Sequence, residues 1–185
     1  MDNGSDSYRR FLDGDKDALV EIITEYRDGL TFFINGFTKN LTEAEELAQE
    51  TFIKLYVKKP KFKRGSSFKT WLYKIGRNMA IDYLRRNRRT VTVPINNAEE
   101  FADISLNPEY RYLNKQKQAR LHSAMCGLKP EYYQILWLIY FEGMSNKEVS
   151  RVLDKSENNI AVILYRAKAA LKSELMKEGI DYENI

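Results

Sequence analysis

The sequence predicts an all-α protein built as two small helical domains joined by a flexible linker. Three observations predict it. Apolar residues recur at spacings of three and four along the long segments, helix start and stop residues punctuate those segments, and one central stretch, residues 90–103 (TVTVPINNAEEFAD), has no amphipathic period. That break divides the 185 residues into a first unit over 1–89, a linker over 90–106, a second unit over 107–178 and a tail over 179–185.

In chain order, residues 16–38 place Leu19, Ile22, Ile23, Tyr26, Leu30, Phe33, Ile34 and Phe37 on one stripe. Thr42-Glu43-Ala44-Glu45 reads as a capping box, with Thr42 at the N-cap and Glu45 three residues on. The helix it opens is expected to bury Ala44, Leu47, Ala48, Thr51, Phe52 and Leu55 and to stop at Pro60. Residues 58–67 (KKPKFKRGSS) form a basic turn. Ser67 caps the next helix, which runs through Phe68, Trp71, Leu72, Ile75, Met79 and Tyr83 into the basic run 85–89. In the second unit Asn107-Pro108 is a start signal for a helix reaching about Cys126. Lys129-Pro130 opens another, apolar through Ile135, Leu136, Leu138, Ile139 and Phe141, which Gly143 ends. Ser145-Asn146-Lys147-Glu148 is a second capping box before a short helix through Val149, Val152 and Leu153. Ser156 caps the last helix, with Ile160, Ile163, Leu164, Ala167, Leu171 and Leu175 facing inward, and the acidic tail is expected to fray.

Composition excludes several functions. One cysteine (Cys126) and one histidine (His122) leave no disulfide scaffold and no Cys/His zinc site; four residues apart, the two read as packing residues. No Gly-rich phosphate loop, nucleophile elbow or metal-ligand spacing occurs. The expectation is therefore no catalytic residues, no metal, no cofactor and no small-molecule substrate. The longest charge-free apolar run is residues 132–141, ten residues against the roughly 20 that span a bilayer. With no apolar stretch at the N-terminus (MDNGSDSYRR), the expected setting is cytoplasmic, without membrane insertion.

The net charge of +4 hides a split. Residues 1–50 hold 5 Lys+Arg against 12 Asp+Glu, a balance of −7; residues 51–93 hold 13 against the single Asp82, a balance of +12. Residues 94–114 come to −3 and residues 115–185 to +2. A segment of +12 is the footprint of a polyanion partner or a solvated helix face. The helix from Phe68 interleaves Trp71, Tyr73 and Tyr83 with Lys74, Arg77, Arg85 and Arg86, which suits stacking of unpaired bases beside backbone phosphates; Phe68, Leu72 and Ile75 read as core, and Trp71 fits both roles. Glu46, Gln49 and Glu50 share one helix face with no histidine or nucleophile beside them, so the face reads as a protein-docking surface rather than an acid–base pair. The last two helices, separated by Asp154-Lys155-Ser156, have helix-turn-helix spacing. Glu157, Asn158, Ala161, Val162 and Tyr165 point outward and Arg166 and Lys168 lie nearer phosphates, though an ordinary helical hairpin has the same spacing.

Two stretches carry a resemblance. TEAEELAQETF (42–52) followed by SFKTWLYKIGRNMAIDYLRR (67–86) resembles the second region of extracytoplasmic-function sigma factors of bacterial RNA polymerase, a branch of the sigma-70 family. Residues 127–172, GLKPEYYQILWLIYFEGMSNKEVSRVLDKSENNIAVILYRAKAALK, are similar to the family's fourth region. The resemblance implies a sigma factor, not an enzyme, with core RNA polymerase and promoter DNA as partners and an anti-sigma factor as a further one. It implies docking on the polymerase clamp helices through Glu46, Gln49 and Glu50. It implies −10 recognition and melting through Lys63, Arg64, Ser66, Ser67, Trp71, Lys74, Arg77, Asn78, Asp82, Arg85 and Arg86. It places −35 contacts on the last helix, at Asn158, Ala161, Val162, Tyr165, Arg166 and Lys168. There the sequence departs from the family's Gly-Thr-Val-Lys-Ser-Arg, having Asn158-Asn159-Ile160-Ala161-Val162-Ile163. The −35 contact then either rests on Asn158, Tyr165, Arg166 and backbone amides or is weak, leaving the first domain to carry most promoter affinity. Two rivals come from different classes: a helix-turn-helix regulator acting on duplex DNA without a sigma role, and a helical interaction module that only titrates a partner.

Overall fold

The computed structural model describes residues 3–63, 67–87 and 115–177. The linker, the start signal at Asn107-Pro108, the tail, and Arg64 and Ser66 lie outside the described residues. Among those described, every regular element is helical: α1 (Asn3–Leu12), α2 (Asp17–Thr38), α3 (Leu41–Lys58), α4 (Phe68–Asn87), α5 (Lys115–Cys126), α6 (Pro130–Leu136) continuing into a π turn (Trp137–Phe141), α7 (Asn146–Leu153) and α8 (Glu157–Lys177). No described helix is long and apolar enough to cross a membrane.

The caps follow local chemistry. Ser67 Oγ accepts from Thr70 N–H and Ser156 Oγ from Asn159 N–H, both at 3.2 Å, so each serine satisfies a first-turn donor. At α7 the capping box is complete, Ser145 and Glu148 each accepting from the other's backbone N–H. The α3 start corrects the sequence reading. Asn40, in extended backbone, is the N-cap and its Oδ1 accepts from Glu43 N–H, so the helix begins at Leu41 rather than after Thr42. Asparagine outranks threonine as a cap, and here it comes first along the chain. The six expected core residues of α3 are all buried.

Two elements were not expected. α1 buries Tyr8 and Phe11, and its exposed Asp6 pairs with Arg9 and Arg10; ten residues whose large apolar side chains, Tyr8, Phe11 and Leu12, all fall in the second half show too little period to read. The π turn stacks Tyr133, Trp137 and Phe141, with ring planes within 5° of parallel.

α2 is the shared element. It packs on α1, α3 and α4 with the stripe read from the sequence, but residues 30–36 are buried without interruption, so a second face is covered as well. That cover is α6 and the π turn, while α7 packs on α4. Buried side chains from both halves of the chain form one continuous core.

Candidate nucleic-acid interface

α4 buries Phe68, Leu72, Gly76 and Ala80 at a repeat of four, forming a seam, with Thr70 and Tyr73 buried beside them, so Tyr73 is a core residue rather than a surface on which a base could stack. A Cβ at Gly76 would lie 2.7 Å from Leu30 Cδ1, so glycine lets α4 lie close on α2. The seam turns the cations of α4 outward. Asn78, Asp82, Arg85 and Arg86 are exposed near its C-terminal end, where Arg85 pairs with Asp82 at 3.0 Å and Arg86 Nε reaches the Asp82 carbonyl at 3.4 Å. Trp71 is partly buried in an aromatic cluster, with centroids 5.2 Å from Tyr8, 5.2 Å from Phe62 and 5.5 Å from Phe68. Lys63 is exposed beside this cluster's Phe62, and Ser67 is occupied as the α4 cap.

Lys74 and Arg77 are placed differently from the rest. Asp154, at the turn between α7 and α8, puts Oδ1 2.5 Å from Lys74 Nζ and Oδ2 3.1 Å from Arg77 Nη1. Nearer the start of α4, Lys69 Nζ meets the Glu142 carboxylate at 2.6 Å and the Glu142 carbonyl at 2.8 Å. Sequence reading assigned neither acid a role, because each pairs with a residue more than 70 positions away.

On α3, Glu46, Gln49 and Glu50 are all exposed. Beside them runs an apolar groove of about 360 Å³, walled by Leu19, Ile23, Phe52, Ile53 and Tyr56, with Gln49 and Arg27 at its edge. Ile53 is 59% exposed, Tyr56 51% and Val57 62%, so α3 presents an unpartnered apolar strip next to its acids. These three were missed; they fall outside the buried period of α3, which was the available signal.

The last two helices turn through Asp154 in the left-handed region, φ 52°, before the Ser156 cap. Asn158, Ala161, Val162, Tyr165, Arg166 and Lys168 are all exposed, Val162 at 49% and Tyr165 at 78%. Ile160 and Ile163 are buried core residues, so of the atypical stretch only Ala161 and Val162 among the aliphatic side chains face outward. Lys168 Nζ lies 5.6 Å from the centre of the exposed Tyr140 ring.

Between α2, α5 and α6 lies a polar cluster in apolar surroundings. Tyr133 hydroxyl donates to the Phe32 carbonyl at 3.1 Å, His122 Nε2 is 3.1 Å from that hydroxyl, and Cys126 Sγ is 3.7 Å from His122 Nδ1. Burial, then the nearby Lys39 ammonium, holds the imidazole down to about 4; burial raises the Cys126 thiol and lowers Lys39.

Comparison with known proteins identifies both halves. The family model for sigma-70 region 2 matches residues 22–90 and that for sigma-70 region 4 matches residues 118–171. The chain is 30% identical over 167 residues to the ECF RNA polymerase sigma factor SigM of Bacillus subtilis, covering 90% of this chain and 99% of that one. It is 31% identical to the RNA polymerase sigma-H factor of Pseudomonas aeruginosa, covering 88% of each. Among solved structures, CnrH in complex with the cytosolic domain of CnrY shares the fold with a TM-score of 0.62 at 20% identity, over 95% of this chain and 96% of that one. The sigma factor RpoE from Bartonella quintana, in complex with the anti-sigma factor NepR, gives 0.63 at 20% identity, over 84% and 95%.

Proposed function

The chain belongs to the extracytoplasmic-function branch of the sigma-70 family and is a sigma factor directing promoter-specific transcription; from that premise we propose a division of labour among its surfaces. The acidic face of α3, Glu46, Gln49 and Glu50, docks on core RNA polymerase, and the adjoining strip of Ile53, Tyr56 and Val57 supplies the apolar centre of that contact. Exposed acids around an apolar strip fit a basic, amphipathic partner surface.

α4 meets the −10 element. Arg85 and Arg86 track backbone phosphates, Asn78 and Asp82 read base edges, and the Trp71 cluster stacks a base taken out of the duplex. Lys63, Arg64, Ser66 and Ser67 help to hold that base, and Lys74 and Arg77 join the phosphate contacts. The last helix meets the −35 element. Val162 packs on a thymine methyl, Tyr165 stacks beside it, Asn158 reaches a base edge, and Arg166 and Lys168 hold phosphates around Ala161. The sigma factor supplies recognition, and the polymerase does the chemistry in the cytoplasm. An anti-sigma factor is its regulatory partner; one fold neighbour named above, RpoE from Bartonella quintana, was solved in complex with the anti-sigma factor NepR. The observation that carries this reading is the pairing of the two sigma regions, in order, on one chain with outward cations on α4. A regulator acting only on duplex DNA would leave residues 22–90 without a role.

The test is reconstitution with core polymerase and run-off transcription from the cognate promoter. Glu50→Lys reverses an exposed charge and should weaken polymerase binding roughly tenfold or more, with the helical circular dichroism unchanged. Unchanged affinity removes the docking assignment; no promoter-dependent transcript from the wild type removes the wider one.

A further inference from the structure

α1 lies ahead of the residues that either family model matches, and nothing so far gives it a role. Its buried face is Gly4, Ser7, Tyr8 and Phe11, a spacing that falls on one side of a helix. Gly4 lets that face approach the start of α4: a Cβ there would overlap the Phe68 ring and lie 2.7 Å from the Tyr26 hydroxyl. On this face Tyr8 meets both the aromatic cluster and the connection from α3 to α4. Its ring centroid lies 5.2 Å from Trp71, 5.4 Å from Phe68 and 6.4 Å from Phe62. Those three rings also touch one another, at 5.2 to 5.6 Å, so every pair among the four is in contact. Tyr8 and Phe68 are buried, while Phe62 and Trp71 keep part of their surface in solvent.

The Tyr8 hydroxyl donates to the Pro60 carbonyl at 2.8 Å, 52 residues away. Burial pushes the phenol up to about 12, so the proton for this bond stays in place at any working pH. Residues 59–63 belong to no helix. α3 ends at Lys59 in the left-handed region, φ 43°, with its ammonium 5.0 Å from the centre of the Phe11 ring. Pro60 follows, with its φ fixed by the ring and no N–H to give. The segment that carries Phe62 and Lys63 is thus held on α1 at three successive places: Lys59 on Phe11, Pro60 on the Tyr8 hydroxyl, and Phe62 on the Tyr8 ring. We propose that Tyr8 is a positioning residue for −10 recognition, setting Phe62 against Trp71 and so fixing the shape of the pocket that holds the extruded base. This rests on the reading of the Trp71 cluster as the base-holding site. Rings already set in place need not be ordered when the base arrives, and that saving appears as affinity for the base alone. A tyrosine that served only the core could have its hydroxyl bound within α1 or α2; this one is bound to the irregular segment leading to Phe62.

Tyr8→Phe keeps the ring and removes the hydroxyl. Ser7→Ala is the control: Ser7 Oγ donates to Glu21 Oε2 at 2.8 Å, so it removes an α1 hydrogen bond of the same length that points to α2 instead. Holoenzyme reconstituted with core polymerase is titrated against labelled non-template strands that span the −10 element of a promoter it transcribes. One strand is intact, and the others carry a single abasic site at each −10 position in turn. The affinity ratio of intact to abasic strand reads the grip on that base, and any loss of folded protein cancels from it. The wild type should lose about tenfold or more at the extruded position. Tyr8→Phe should reduce that ratio roughly threefold, with the other positions unchanged, and Ser7→Ala should match the wild type. Phe62→Ala should reduce the ratio at the same position, and adding Tyr8→Phe to it should change nothing further. A Tyr8→Phe ratio equal to that of the wild type overturns the proposal. So does a Ser7→Ala ratio that shifts as far as that of Tyr8→Phe, which makes α1 a general support, and so do additive losses in the double variant. An unchanged ratio in Phe62→Ala overturns it without requiring that Tyr8→Phe be folded. A wild type indifferent to the abasic site at every position removes the base-holding reading, and the role of Tyr8 with it; a sensitive wild type with an equally sensitive Tyr8→Phe removes the role of Tyr8 alone.

Discussion

At His122 one donor settles every proton nearby. The Tyr133 hydroxyl has a single hydrogen and gives it to the Phe32 carbonyl, so His122 Nε2 must donate to the phenol oxygen and Nδ1 is left as the acceptor facing the Cys126 thiol. A second proton would place a cation on a buried ring near the Lys39 ammonium, and burial first, then the like charge, disfavours it. The folded-state value of about 4 lies below the ordinary 6.5, so the unfolded chain takes up the proton first as pH falls. Stability is therefore full above about pH 6.5 and declines through the window down to about 4. The loss is roughly 2 kcal/mol by pH 5, at about 1.4 kcal/mol per pH unit, and less to the extent that water reaches the ring. Melting curves of wild type and His122→Gln between pH 7 and 5 check this: the variant should lose several degrees less. Parallel pH slopes would contradict the assigned burden on His122.

Among the elements, the α7 capping box makes the sharpest test. Burial works against the charge on Glu148, but hydrogen bonds from the Ser145 backbone and hydroxyl, and from Ser67 across on α4, win and hold its carboxyl below the usual range. Ser145→Ala should cost about 1 kcal/mol, seen as a fall in melting temperature, and should reduce the loss of stability at acid pH that comes from protonating Glu148. Caps of this kind were legible in the sequence because donor and acceptor sit three residues apart, and Ser67, Ser145 and Ser156 were each placed correctly. Asn40 was passed over for Thr42 because both fit the pattern, and only the extended backbone at Asn40 decides between them. The π turn left no mark on the period of its segment. The run Leu30–Gly36 (LTFFING), without a charge, was the available sign that α2 is covered on two faces, and a single-stripe reading hides it.

Over the whole molecule, the segmental charges anticipated the division of surfaces better than the net charge did. The acidic first 50 residues supply the exposed α3 face, and the basic stretch that follows supplies α4. The exposed candidates on α3, α4 and α8 were readable because side chains off the buried period face outward. Their pairing with Asp154 and Glu142 was not, since contacts between residues 73 to 80 apart leave no local pattern. Cys126 reports on the packing between the two halves of the chain. Its thiol is partly buried and burial keeps it protonated, while the carbonyl of the same residue takes the Lys39 hydrogen bond from the other half. Any opening that strips that cover exposes the thiol, so the half-time of reaction with a thiol reagent measures how long the packed state lasts. Gly36→Ala, whose methyl would overlap the Tyr133 ring, should shorten that half-time several-fold; an equal half-time would mean that the thiol does not sense the packing of α6 on α2. A single cysteine thus turns the lifetime of the resting molecule into a number that can be read without a label.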